Sequence, residues 1–184
     1  PGAGGNIAAD LVAQSAGDGK TLVLTTNSLV INPLIDPNVK FHPRNSFAPV
    51  SMIATSPLLI VVGEGKPYRS LKDLLDAARR EPGRLSYASC GNGSIHHLAG
   101  EQLKRLTGVE MQHIPYRGCA PAMTDIAGGQ LAAGVISLTT AGSFLAGNRA
   151  RALALTSDQP SALVPSVPTA AKEGVSGYRF DGWY

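Results

Sequence analysis

The chain has 184 residues, enough for one domain of ordinary size or two small ones. Apolar residues make up 43% and charged residues 16%, and the mean hydropathy is +0.04, a profile that excludes disordered and fibrous classes. The 16 basic and 13 acidic residues leave a formal charge of +3 with no basic run beyond Arg79 and Arg80, too scattered for a nucleic-acid footprint. The longest apolar run, 58–62, is far short of the roughly 18 residues of a membrane-spanning helix.

Taken in chain order, a glycine-rich turn over 1–6 leads into Ile7, Leu11 and Val12 at helical spacing, which predicts a helix over 7–15 with Asn6 as its N-cap. TLVLTT at 21–26 reads as a buried strand of the parallel type, and Asn32-Pro33 with Asp36-Pro37 limits 29–35 to a short helix. Residues 47–54 and 58–62 read as two extended segments broken at Ser56-Pro57, with a lobe boundary near 55–65. Ser70, with Asp73 three residues on, caps a helix over 71–80 that Pro82-Gly83 stops.

The next segments alternate regularly. They are a strand over 85–89, the turn CGNGS at 90–94, a helix over 95–106 stopped by Gly108 and a strand over 110–114. A helix over 122–127 with Pro121 at its first position, a strand over 131–137, a short helix over 141–146 and a strand over 150–156 follow. This βαβαβαβ succession predicts an α/β fold with a parallel sheet and right-handed crossovers. Thr169 is expected to cap a last helix to 173, and 178–184 to form a strand. A lobe that begins with a helix at Pro1 and closes on a strand is expected of a chain cut at both ends, its first residue an internal or processed position.

Open α/β sheets bind ligands beyond the carboxyl ends of their strands, so the turns at 25–28, 89–94, 116–119 and 137–140 are the candidate walls of a site. The turn at 89–94 is the sharpest of them. Gly91 and Gly93 let a ligand approach the backbone, the free N–H groups of the following helix attract an anion, and Ser89, Asn92 and Ser94 add donors. Thr26, Asn27, Ser28, Tyr116 and Ser137 complete the candidate set, against the plainer reading of an ordinary tight βα turn.

Other motifs carry less. GDGKT at 17–21 resembles a phosphate-binding loop, but Gln14 stands where the first glycine belongs and a strand follows instead of a helix. Cys90 near a helix start, with His96 and His97 close by, could serve as a thiol nucleophile, yet the spacing does not bring them to one face. His42, His96, His97 and His113 fit no metal-binding spacing. Tyr116, Arg117 and Gly118 could place a phenol and a guanidinium at the cleft rim, against the plainer reading of Arg117 as a solvated loop charge, and Trp183-Tyr184 reads as core filler.

The motifs PGAGGN at 1–6, INP at 31–33, FAPVS at 47–51, PGRLSYASCGNGS at 82–94, HLAGE at 97–101, HIPYRGCAPAMTD at 113–125, GGQ at 128–130, RALALTS at 151–157 and VPTAAKEG at 167–174, with the closing WY, occur in one order over nearly the whole chain. Together they resemble the substrate-binding receptors of tripartite tricarboxylate transporters, the Bug family.

The resemblance implies a two-lobed fold of the periplasmic-binding-protein type, truncated at both termini, with 1–55 and 170–184 in lobe one and 56–169 in lobe two. It implies that the turn from Tyr87 to Ser94 binds a ligand carboxylate through backbone N–H groups, serine hydroxyls and ordered waters. Many members carry an Asp-Asn pair where this chain has Ile136-Ser137, which disfavours an amino-acid ligand and favours a small mono- or dicarboxylate.

The implied protein is a monomeric, periplasmic, non-enzymatic receptor without cofactor or metal. It would hand its ligand to membrane permease subunits, with no nucleic-acid partner and no membrane insertion of its own. A ligand sensor for a signalling partner and a Cys90-dependent hydrolase are the alternatives. Cys90 and Cys119 are expected on neighbouring βα turns but farther apart than the roughly 7 Å between Cα atoms that a disulfide allows, and the family commonly has small residues there, so two free thiols are expected near the cleft.

Overall fold

In the computed structural model, which describes residues 3–184, one strand organises the chain. That strand, β1 (Thr55–Gly63), pairs with three partners along its length. Residues 55–57 pair with β6 (Asp181–Trp183), and the rest lies between β4 (Ala133–Ser137) and β5 (Ala150–Leu155). Ser56-Pro57 therefore does not interrupt the strand. Pro57 stands where β1 changes partner, a place where a missing N–H costs little.

The main sheet runs in the order β3-β2-β4-β1-β5, with β2 (Ser86–Ser89) parallel to β3 (Gln112–Pro115) and to β4. The expectation of a wholly parallel sheet needs one correction, because β1 runs antiparallel to both of its central neighbours. Its side chains are apolar and buried on both faces, so its sequence looks like that of a parallel strand, and a pattern of burial carries no direction.

Alternation along β1 divides the core in two. Leu58, Ile60 and Val62 face a cluster built with α3 (Leu71–Arg80) and α4 (Ile95–Thr107). Leu59 and Val61 face a second cluster with α5 (Cys119–Ala127) and α6 (Leu138–Ala146). Each of these fully buried aliphatic side chains contributes about 1.5–3 kcal/mol, and together they fix the frame on which the turns are mounted.

Local capping sets the helix ends. The Ser70 hydroxyl accepts from Asp73 N at 3.1 Å while the Asp73 carboxylate accepts from Ser70 N at 3.0 Å, the reciprocal capping box read from the sequence. Ser94 Oγ accepts from His97 N at 3.3 Å to open α4, and Gly108 at φ 68° closes it. α5 begins at Cys119, not Ala122, so Pro121 is its third residue, where the N–H that proline lacks would have had no intrahelical acceptor.

The amino-terminal part holds α1 (Asn6–Ala13) and α2 (Ser28–Ile35). Asn6 is the first residue of α1 rather than its cap, and its side-chain oxygen accepts from the buried Asn32 amide at 2.5 Å. Residues 21–26 form no strand: no partner lies beside them among the described residues, and Leu22 and Leu24 are exposed. Residues 47–54 are likewise irregular.

The helix expected at 169–173 is a set of turns, because the backbone at Thr169 is already committed. Leu155 N donates to Pro168 O at 2.8 Å and Ala170 N to Leu155 O at 2.9 Å. The strand expected over 178–184 is confined to β6.

Candidate ligand-binding site

The carboxyl ends of β2, β3 and β4 open onto a cleft of about 850 Å³, whose opposite wall comes from residues 4–6, 26–36 and the β6 end of the chain. Residues from the amino ends of five helices line it: Asn6 of α1, Asn27 and Ser28 of α2, Ser94, Ile95 and His96 of α4, Gly118 and Cys119 of α5, and Ser137 ahead of α6. The first N–H groups of a helix have no intrahelical acceptor and carry the positive end of its dipole. Five such ends around one space attract an anion through their dipoles, although the first N–H groups of α2 are already bonded, Leu29 N to Thr26 O at 2.9 Å and Val30 N to Asn27 O at 3.0 Å.

Eight of the ten sequence-predicted positions line this cleft: Thr26, Asn27, Ser28, Gly91, Asn92, Ser94, Tyr116 and Ser137. Ser28 Oγ and the Asn92 amide make no hydrogen bond among the described residues. Asn27 instead uses its side chain to mimic a strand, accepting from Trp183 N at 3.1 Å and donating to Asp181 O at 3.4 Å. The Ser94 hydroxyl donates to Gly91 O at 2.7 Å, so it shapes the turn. Burial, together with the hydrogen bond its hydroxyl donates to Asp125 at 2.6 Å, pushes the Tyr116 phenol up to about 12.

Ser89 lies behind the wall, and Gly93 sits where the turn meets α2, beside Ile35 and Asn32. Ser89 is fully buried, its Oγ 2.7 Å from His113 Nε2 and accepting from Gly91 N at 3.2 Å. Gly93 N donates to His97 Nδ1 at 3.3 Å, and the His97 and His113 rings stack with centroids 3.9 Å apart. Burial lowers His113 to about 4, with the neighbouring His97 adding to the effect, so a neutral imidazole pair underlies the turn.

Arg117 stands at the cleft rim, one of the two places the sequence allows for it, whereas Asp36 and the pairing of His96 were not foreseen. Arg117, exposed at the mouth and without an ion pair among the described residues, is the cationic side chain of the lining, and Asp36 is the anionic one, its Oδ1 accepting from Asn38 N at 2.9 Å. His96 is buried, with Nε2 2.8 Å from Ser137 Oγ and Nδ1 left without a partner, and burial lowers it to about 4. Its position on the first turn of α4 was readable; its pairing across to β4 depends on the sheet order.

The expectation of two free thiols is wrong. Cys90 and Cys119 form a disulfide, with Cα atoms 4.4 Å apart. The β2–β3 pairing continues beyond the strand ends, Tyr116 N donating to Ser89 O at 3.1 Å and Gly118 N to Cys90 O at 3.2 Å, and so draws the two turns closer than adjacent βα turns usually stand. A Cys90 nucleophile is thereby excluded from the oxidised protein. Cys90, His96 and Cys119 bring three metal-ligand atoms within 4.8 Å, but both sulfurs are bonded to each other.

All 184 residues match the family described as tripartite tricarboxylate transporter family receptor. The chain belongs to that family. It is 37% identical over 183 residues, 99% of its length and 54% of the relative's, to a protein of Pseudomonas sp. strain P51 named UPF0065 protein in the tcbD-tcbE intergenic region. Among solved structures it resembles Rpa4515 of R. palustris with adipate, at 35% identity and a TM-score of 0.93 over 97% of this chain and 60% of that one. It also resembles MatC of Rhodopseudomonas palustris with bound malate, at 26% identity and a TM-score of 0.87 over 99% of this chain and 62% of that one.

The receptor chain spans about half the length of the curated relatives it matches, and its α/β architecture is that of periplasmic binding proteins. Among its described residues no helix is long and apolar enough to cross a membrane.

Proposed function

We propose that this chain forms the ligand-binding part of a periplasmic receptor that captures a small mono- or dicarboxylate in the cleft and presents it to the permease subunits of a tripartite transporter. The observation that carries the reading is the convergence of five helix amino ends on one space. Neutral backbone donors there would bind a carboxylate strongly while leaving no buried cation unpaired when the ligand departs. The family membership and the structural relatives carrying adipate and malate support the same ligand class.

In this reading residues up to 55 and the β6 end of the chain form one lobe and 56–178 the other; the return to lobe one falls later than the expected 170, because Ala170, Val175 and Tyr178 are buried in the core with α3 and α4 and the Tyr178 hydroxyl donates to Ala99 O at 3.0 Å. Closure is a hinge motion at the crossings, where β1 changes partner and Thr156 N donates to Leu58 O while Phe180 N donates to Thr156 O. Hydrolysis is disfavoured, since the Ser137–His96 pair has no third group to orient the imidazole, whose Nδ1 is unpartnered.

Calorimetric titration with adipate and with malate tests the proposal. The unmodified protein is expected to bind at least one of them, and Asn92→Ala and Arg117→Ala each to weaken binding about fivefold, the worth of one hydrogen bond or partly screened ion pair. Absence of binding by the folded protein at millimolar dicarboxylate would refute it.

A further inference from the structure

The disulfide lies in the wall of the cleft, at the meeting point of three helix amino ends. Cys90 joins β2 to the turn before α4, and Cys119 is the first residue of α5. Cys119 Sγ lies 3.6 Å from His96 Nε2 and 3.9 Å from Ser137 Oγ, which precedes α6. Each cysteine adjoins a glycine at positive φ, Gly91 at 140° and Gly118 at 114°. Backbones at such glycines pivot readily, so beyond the Tyr116 N to Ser89 O bond at the strand ends it is the hydrogen bond from Gly118 N to Cys90 O and the disulfide that hold the two turns in register.

We propose that the Cys90–Cys119 disulfide is a redox-sensitive positioning element of the cleft: it fixes the spacing of the α4 and α5 amino ends, and its reduction loosens the turn at 91–94 and weakens ligand binding. The affinity half of this rests on the reading of the cleft as a carboxylate site; the geometric half does not. The step is thiol–disulfide exchange with a dithiol reductant. A thiolate of the dithiol attacks one sulfur, the Cys90–Cys119 bond breaks, the second thiol of the reductant closes its own disulfide, and its two electrons and two protons leave Cys90 and Cys119 as thiols. Both cysteines are partly exposed in the cleft wall, which gives a reductant access.

Two readouts on the purified protein test this, with dithiothreitol as the reductant. Without ligand, hydrogen exchange at the amides of 91–94 and 118–120 is expected to accelerate about tenfold on reduction, while that of the β1 amides stays unchanged. Adipate or malate affinity is expected to fall about five- to tenfold and to return on reoxidation, as lost preorganisation predicts. Cys90→Ser, Cys119→Ser and the double variant are expected to show the same loss, because either change removes the one bond; additive losses would mean separate contacts instead. Unchanged exchange at both turns on reduction overturns the inference even if neither acid binds. Altered exchange without any binding by the oxidised protein upholds the positioning and refutes the carboxylate reading.

Discussion

Acidification from about pH 8 to about pH 5 is expected to destabilise the protein through His96, whose burial lowers it from 6.5 to about 4. Between those two values the unfolded chain holds a proton that the folded chain refuses, so stability is full above 6.5 and falls as the pH drops. Linkage between 6.5 and about 4 gives a loss of about 2 kcal/mol at about pH 5, from this one side chain. His113 and His97 shift in the same direction through burial, but both are partly exposed and solvent screening makes their share smaller. The carboxyls with lowered values, Asp18, Asp76 and Glu101, start from 3.8, 3.8 and 4.5, so most of their contribution falls below this window. Urea unfolding at the two pH values, in the native protein and in His96→Gln, measures the effect. Glutamine can still donate to Ser137 Oγ and cannot titrate, so the variant should lose about 2 kcal/mol less than the native protein over the interval. An equal loss in both would refute the assignment of the acid sensitivity to His96.

Sequence reasoning reached furthest where structure is local. Ser70 with Asp73, and Gly108, fix helix ends through bonds three or four residues long, so the residue types alone reveal them, whereas the cap made by Ser94 was read only as a ligand donor. The turn at 89–94 was legible for the same reason, and with it most of one cleft wall.

What failed depends on partners remote in the chain. Nothing in 55–63 states that β1 runs against its neighbours, and nothing in TLVLTT says whether a partner strand lies beside it. The inward turn of Ser89 follows from His113 on the next strand, and the Cys90–Cys119 bond from two hydrogen bonds that extend the β2–β3 pairing past the strand ends. Spacing rules place such residues on the right turns but do not resolve the ångström that separates a bridge from two thiols.

Two substitutions test the frame around the cleft. Thr156→Val should cost about 2–4 kcal/mol in urea unfolding, since the fully buried hydroxyl accepts from Leu58 N at 3.1 Å and donates toward Phe180 O at 2.5 Å, and its loss strands both groups; a cost below about 1 kcal/mol would mean that the crossing of β1 with the chain near 180 is held by backbone bonds alone. Gly93→Val should act by pushing the turn and α2 apart rather than by blocking donors in the cleft, because a Cβ there would collide with Ile35 Cδ1, come within 3.2 Å of Asn32 Oδ1, and sit on a backbone at φ 69°. The left-handed conformation costs roughly 1–2 kcal/mol and the crowding roughly 1–3 kcal/mol, part of it relieved by rotation of the exposed Ile35 side chain, so thermal unfolding should report a loss of about 2–4 kcal/mol. Because Asn32 also holds the Gly4 and Asn6 end of α1, the displacement would spread the two walls apart, and a variant folded with native stability would show that α2 does not rest on the turn at 91–94.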